Sequence, residues 1–251
     1  MLLKGKKVLV TGAAAGIGQS IAKRMSEEGA NLVLADIKEK EGRALEAQLR
    51  DSGCSATFIP VDLAKVASIR SMVETAISTM GEIDVLVNNG GVTQRLGLFD
   101  IDEEKWDWIQ SINTRGLFFC LQTVALHMKE RRSGKIINMA SIGGKGVKGT
   151  SNASYSASKA AAIAIARVAA QELGPFNINV NSVCPGLTRT EMLADLERAN
   201  PALLESVRAM AALKRINEPV DVANAVVFLS SSLADNITGQ SLNVDSGILW
   251  D

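Results

Sequence analysis

The chain is poor in the side chains on which much acid–base and metal chemistry rests. Its 251 residues include one histidine, His127, one tyrosine, Tyr155, and three cysteines. A lone histidine excludes a multi-histidine metal site, and any Ser-His-Asp or Cys-His mechanism would have to use it. His127 falls in Leu121–Arg132, which reads as the end of a helix, so a surface or interface role is expected and no metal is. Charge of one sign is also missing. The 27 basic and 27 acidic residues cancel, and no Lys/Arg-rich block offers a footprint for nucleic acid or an anionic membrane. Long apolar runs are absent too: Ala160–Ala170 is broken by Arg167 and falls well short of the roughly 20 residues that span a bilayer. Met1–Val10 carries three lysines without the apolar region and cleavage site of a secretory signal. Cys54, Cys120 and Cys184 are too few and too scattered for a disulfide framework, so reduced thiols and a cytoplasmic location are expected.

What the chain does have is alternation. Short β-rich runs at Val8–Val10, Leu32–Leu34, Thr57–Ile59, Val85–Val87, Ile136–Ile137, Ile178–Val180 and Leu242–Val244 alternate with helical patterns. The helical stretches are Gly16–Glu28, Lys38–Asp51, Lys65–Thr79, Glu103–Arg131, Ser154–Leu173 and Val220–Ser230. Strands this apolar have no wet face. The pattern predicts an α/β fold, a seven-stranded doubly wound parallel sheet with helices on both faces, as one domain over residues 1–251. The least regular stretch, about 185–217, with helical pattern at Thr190–Glu197 and Pro201–Ala212, reads either as a mobile insert over a site or as a packed surface excursion.

Thr11-Gly12-Ala13-Ala14-Ala15-Gly16-Ile17-Gly18 lies directly between the first strand and the first helix. In that context Gly12 permits the tight turn, Gly16 lets a pyrophosphate approach the backbone, and Gly18 lets helix and sheet close up. The helix N-terminus, around Ala15 and Ile17, then offers N–H groups and partial positive charge to the anion. Asp36 ends the second strand, 18 residues beyond Gly18, where an acidic residue meets the adenosine ribose. It would repel a 2′-phosphate by about 4 kcal/mol per charge pair at an effective dielectric near 20, before solvent screening. The next residue is Ile37 and no cation lies in Ala13–Ala15, so NAD is expected over NADP, with Lys38 the one reservation. Asp62, in Val61-Asp62-Leu63, is a contact for adenine or a cap for the helix that follows. Asn88-Asn89-Gly90-Gly91 suits a turn passing close to a ligand.

Tyr155 and Lys159 stand four positions apart on one face of a predicted helix. A tyrosine pKa near 10 is too high for a base at neutral pH, and an adjacent ammonium is expected to lower it. Tyr155 then takes a proton from an alcohol as hydride leaves its carbon, or returns it to a carbonyl, while Ser141 hydrogen-bonds the same oxygen.

Together these residues resemble the short-chain dehydrogenase/reductase family over nearly the whole chain. T-G-x-x-x-G-x-G at Thr11–Gly18, Asp62, the Asn88 motif, Ser141, Tyr155-x-x-x-Lys159 and Pro185-Gly186 occur in the family's order. The resemblance implies a catalytic set of Asn113, Ser141, Tyr155 and Lys159, with Asn113 holding a relay water and Lys159 also the nicotinamide ribose. It places Asn89 beside the cofactor, and Leu187, Thr188 and Thr190 near the carboxamide. It also implies a homo-oligomer, commonly a tetramer, built on the helices Glu103–Arg131 and Ser154–Leu173. Two positions depart from the family: Gly90 replaces the alanine of N-N-A-G, and Val244-Asp245-Ser246-Gly247 replaces V-D-G-G. Family pockets are lined by segments that here hold Thr93, Gln94, Arg95, Gly143, Lys145, Lys148, Asn152, Leu187 and Met192. They suggest a small hydroxylated substrate such as a polyol, sugar or hydroxy acid, unless Arg95, Lys145 and Lys148 are solvated loop charges. A 3-oxoacyl-thioester or ketone reductase and a non-catalytic nucleotide-binding scaffold are the alternatives.

Overall fold

The computed structural model describes residues 1–146, 152–190, 193 and 201–250. Its seven strands are β1 (Lys7–Thr11), β2 (Asn31–Asp36), β3 (Ala56–Pro60), β4 (Val85–Asn88), β5 (Gly134–Met139), β6 (Ile178–Pro185) and β7 (Ser241–Val244). They form one parallel sheet in the order β3-β2-β1-β4-β5-β6-β7. Successive side chains of a strand face opposite sides, and here both sides are apolar. Val8, Val10, Leu32, Leu34, Val85 and Val87 pack into one buried cluster, whereas Leu9, Val33 and Leu86 pack into the other. Burying each such side chain contributes roughly 1.5–3 kcal/mol.

Helices α1 (Gly16–Glu27), α2 (Glu39–Asp51) and α8 (Pro219–Ser230) supply the first cluster. The second is covered by α3 (Val66–Met80), α5 (Leu117–Arg131) and α6 (Ala153–Leu173). The remaining helices are α4 (Glu103–Gln110) and α7 (Pro201–Met210). The expected doubly wound sheet is therefore present.

The expected single helix Glu103–Arg131 is interrupted. Ser111–Gly116 forms a π-helical segment between α4 and α5, and a widened turn of this kind re-aims side chains at functional sites. It buries Asn113 completely. Strand β6 is also longer than Ile178–Val180, because Asn181 and Ser182 pair in the sheet with their side chains buried. Met192, Lys148 and most of the Thr190–Glu197 helical pattern lie outside the described residues, while the Pro201–Ala212 pattern appears as α7.

Chain direction sets where a ligand fits. From β1 the sheet grows to one side through β2 and β3, then resumes on the other side at β4. The carboxyl ends of β1 and β4 thus flank the switch point at which open α/β sheets bind ligands.

Candidate active site

A single cleft runs across this switch point, from Asp36 and Ile37, past Gly12, Gly16 and Gly18, to Ser141, Tyr155 and Lys159. It brings together Ala15, Ile17, Asp62, Leu63, Asn89, Gly90, Pro185, Gly186, Thr188 and Thr190 as well. Backbone geometry builds the first half. A Cβ on Gly18 would lie 2.0 Å from the Gly12 carbonyl oxygen, so only glycine lets α1 start this close to the end of β1. Ala15 is the N-cap of α1, no side chain caps the helix, and its first turn holds no acidic residue. The exposed N–H groups and the dipole are left for an anion.

Asp36 is held in place by the main chain: its Oδ2 accepts the Ala14 N–H and its Oδ1 the Lys38 N–H, both at 2.9 Å. Asp62 does not cap α3, whose N-cap is Lys65 with no side-chain cap bond. It borders the cleft, and its carboxylate accepts the Ala64 N–H at 3.0 Å and pairs with Lys65 at 3.0 Å ahead of α3. The Lys65 hydrogen bond foremost holds its pKa below the usual aspartate value. Asn89 Nδ2 donates to the carbonyls of Thr11 and Gly12 at 3.0 and 2.9 Å, tying the β4 turn to the glycine-rich turn. A Cβ on Gly90 would lie 2.4 Å from Leu63 Cδ1, so the unusual glycine here makes room for a neighbouring leucine.

Side chains build the second half. Asn152 caps α6, its Oδ1 accepting the Tyr155 N–H at 2.8 Å. Ser141 Oγ accepts the Gly143 N–H at 3.0 Å and hydrogen-bonds the Tyr155 hydroxyl. Lys159 Nζ donates to the Met139 carbonyl at 2.7 Å and lies 5.6 Å from the Tyr155 ring centroid. Burial dominates both titrations. It pushes the Tyr155 hydroxyl up from its ordinary value, with Ser141 pulling the other way, and it lowers Lys159 to about 8. The expected lowering of Tyr155 is therefore corrected: desolvation is the largest cause and raises it, while the Lys159 ammonium donates to the Met139 carbonyl.

Asn113 serves as a clamp. Its Oδ1 accepts the Val92 N–H and its Nδ2 donates to the Val92 carbonyl, each at 2.8 Å, with a further bond to Ser158 Oγ at 3.1 Å. The loop after β4 is thereby fixed to the helix that carries Tyr155. Gln110 adds a second tie that the sequence pattern does not announce, its Nε2 donating to the Ser154 carbonyl at 2.9 Å.

The polar substrate pocket needs a larger correction. Among the described residues, Thr93, Arg95 and Leu187 border the cleft, but Gln94, Gly143, Lys145 and Asn152 do not. The Lys145 ammonium donates to the Ser241 carbonyl at 3.0 Å, Asn152 Nδ2 donates to the Gln94 carbonyl, and Gln94 is exposed. In their place stand apolar side chains: Val92, Ile142, Val207, Met210 and Ile248. Their contribution is unreadable locally, since they come from four separate segments.

The comparisons with known proteins agree with this geometry. Residues 12–249 match the family described as enoyl-(acyl carrier protein) reductase. A 3-oxoacyl-[acyl-carrier-protein] reductase, FabG, of Staphylococcus epidermidis is 38% identical over 97% of this chain and 98% of its own. A diacetyl reductase [(S)-acetoin forming] of the same species is 36% identical over 98% of this chain and 99% of its own. Among solved structures, a putative short-chain alcohol dehydrogenase from Sinorhizobium meliloti superposes with a TM-score of 0.93 at 32% identity, covering 98% of this chain and 97% of that one. The chain belongs to the short-chain dehydrogenase/reductase family.

Short-chain dehydrogenases/reductases are oxidoreductases that use a nicotinamide cofactor, and the cleft fits one. The uncapped N-terminus of α1 and the anchored carboxylate of Asp36 are the donor and acceptor that a dinucleotide's pyrophosphate and adenosine ribose require. No group of three or more metal-ligating side chains occurs among the described residues, and no helix among them is long and apolar enough to cross a membrane.

Proposed function

We propose that this protein is an NAD-dependent oxidoreductase interconverting a secondary alcohol and a ketone. The observation that carries the reading is the continuity of one cleft from the Asp36 carboxylate to the Tyr155 hydroxyl. Gly12, Ala15, Gly16, Ile17 and Gly18 would hold the pyrophosphate; Asp36, Ile37, Asp62 and Leu63 the adenosine; Asn89, Gly90, Pro185, Gly186, Thr188, Thr190 and Lys159 the nicotinamide side. Bound there, the nicotinamide supplies or accepts the hydride. Tyr155 donates a proton to the carbonyl oxygen in reduction and removes it in oxidation, Ser141 orients that oxygen, and Lys159 stabilises the phenolate left after proton transfer.

Substrate class follows from the lining. Arg95 and Thr93 offer polar contact at the cleft, but the walls are mostly apolar, which favours a ketone or hydroxy acid with an apolar body over a polyol or sugar. The names of the relatives favour the second reading, a small-ketone or 3-oxoacyl-thioester reductase. Exposed Phe118 and Leu126 on α5 and Val168 on α6 support a homotetramer paired through these helices, in a cytoplasmic setting that keeps Cys54, Cys120 and Cys184 reduced. Purified protein should oxidise NADH with diacetyl or a methyl ketone and reduce NAD⁺ with the matching alcohol, and its sedimentation mass should exceed that of one chain. Turnover confined to sugars and polyols would contradict the apolar pocket, and turnover with a thioester alone would select the second reading.

A further inference from the structure

The substrate end of the cleft is closed by chain that follows the last strand. Past β7, the Asp245 carboxylate accepts the N–H groups of Gly247 at 3.0 Å and Leu249 at 2.8 Å, curling the segment back over the sheet edge. Ser246, which stands where the family has glycine, adopts a left-handed φ of 59°, and its hydroxyl donates to Asn217 Oδ1 at 3.1 Å. That bond offsets part of the cost of the conformation. Neighbouring carbonyls then hold the turn that leaves α7. The Leu213 N–H donates to Ser246 at 3.0 Å and the Ala212 N–H to Gly247 at 3.4 Å. A Cβ on Gly247 would come within 2.8 Å of Ala212 Cβ, so the two segments meet almost backbone to backbone.

Both sides of this joint reach the cleft. Val207 and Met210 border it from α7, and Ile248 borders it from the terminal segment. Ile248 packs on the small core of Leu117, Ala140, Ile142 and Ala162, and Ile142 directly follows Ser141.

We propose that Asp245–Trp250 is a specificity element, with Ile248 setting how much apolar substrate can extend beyond the reacting carbon. The segment is braced by the Asp245 and Ser246 hydrogen bonds, so the size of the residue-248 side chain translates into pocket depth instead of being absorbed by backbone movement. The inference rests on the reading of the cleft as a ketone and alcohol site. Its test is the NADH-dependent reduction of the methyl ketones from 2-butanone to 2-octanone by the wild type, Ile248→Ala, Ile248→Val and Ile248→Trp, with NADH affinity measured in parallel by fluorescence. Ile248→Ala should raise the kcat/KM ratio of 2-octanone to 2-butanone by about tenfold, Ile248→Val should raise it less, and Ile248→Trp should lower it, because one methylene in an apolar pocket is worth roughly tenfold or more. NADH affinity should stay at the wild-type level throughout. A ratio unmoved in all three variants, with NADH binding intact and the wild type active, overturns the specificity role alone. A wild type that binds NADH but reduces no member of the series overturns the ketone reading and the specificity role together.

Discussion

The two halves of the cleft are built by different means. Around the Thr11–Gly18 turn the structure relies on backbone: glycines where a Cβ would collide, N–H groups at a helix start, and main-chain bonds that anchor Asp36. Around Tyr155 it relies on side chains from β5, α6, α7, the loop after β4 and the segment after β7. Backbone-built sites follow from a few consecutive residues, whereas side-chain walls depend on how distant segments pack. The difference predicts that the halves fail separately: damage to one should spare the other.

Tyr155→Phe gives the sharpest separation. It should lower turnover by roughly 10²–10⁴-fold, the usual contribution of a positioned proton donor, while NADH binding persists. Loss of NADH binding in step with turnover would show that the halves are coupled. Gly18→Ala should do the opposite, weakening NADH binding by roughly tenfold to a hundredfold, since overpacking of this kind costs ~1–3 kcal/mol. Residual turnover at saturating cofactor should approach that of the wild type.

Titration is a third way to part the halves. Ketone reduction needs Tyr155 protonated, and burial raises its pKa above the ordinary tyrosine value. Lys159, lowered to about 8, loses its charge first and with it the support for the developing phenolate. The kcat/KM for the ketone should therefore fall as pH rises through about 8. The apparent value belongs to the Tyr155–Lys159 pair jointly. A profile that stays level until the ordinary tyrosine range would contradict the buried-lysine account. The smallest effect is expected for Gly90→Ala. The added methyl meets the end of the Leu63 side chain, which can rotate away, so NADH affinity should change by only a few-fold.

The same contrast explains what was readable in the sequence. The parallel sheet was legible because Val8–Val10 and Val85–Val87 leave no polar face, which only a sheet covered on both sides accepts. Gly12, Gly16, Gly18 and Asp36 were legible because their spacing is itself the geometry. Lys145 and Asn152 misled because they sit beside catalytic residues in sequence while their side chains are committed to the Ser241 and Gln94 carbonyls. Ile248 gave no local signal at all, for only the fold of the Asp245 turn brings it to the cleft. The π segment was hidden inside a convincing helical pattern, since a widened turn has no composition of its own. Tyr155 was found, but the direction of its pKa was not, because desolvation is a property of the assembled core.

The central claim is that the backbone-built half selects NAD through Asp36. Fluorescence titration of one enzyme preparation with NADH and with NADPH tests it most directly. NADH should bind at least about tenfold more tightly, reflecting the repulsion between the anchored carboxylate and a 2′-phosphate after screening. Equal or tighter binding of NADPH would contradict the account.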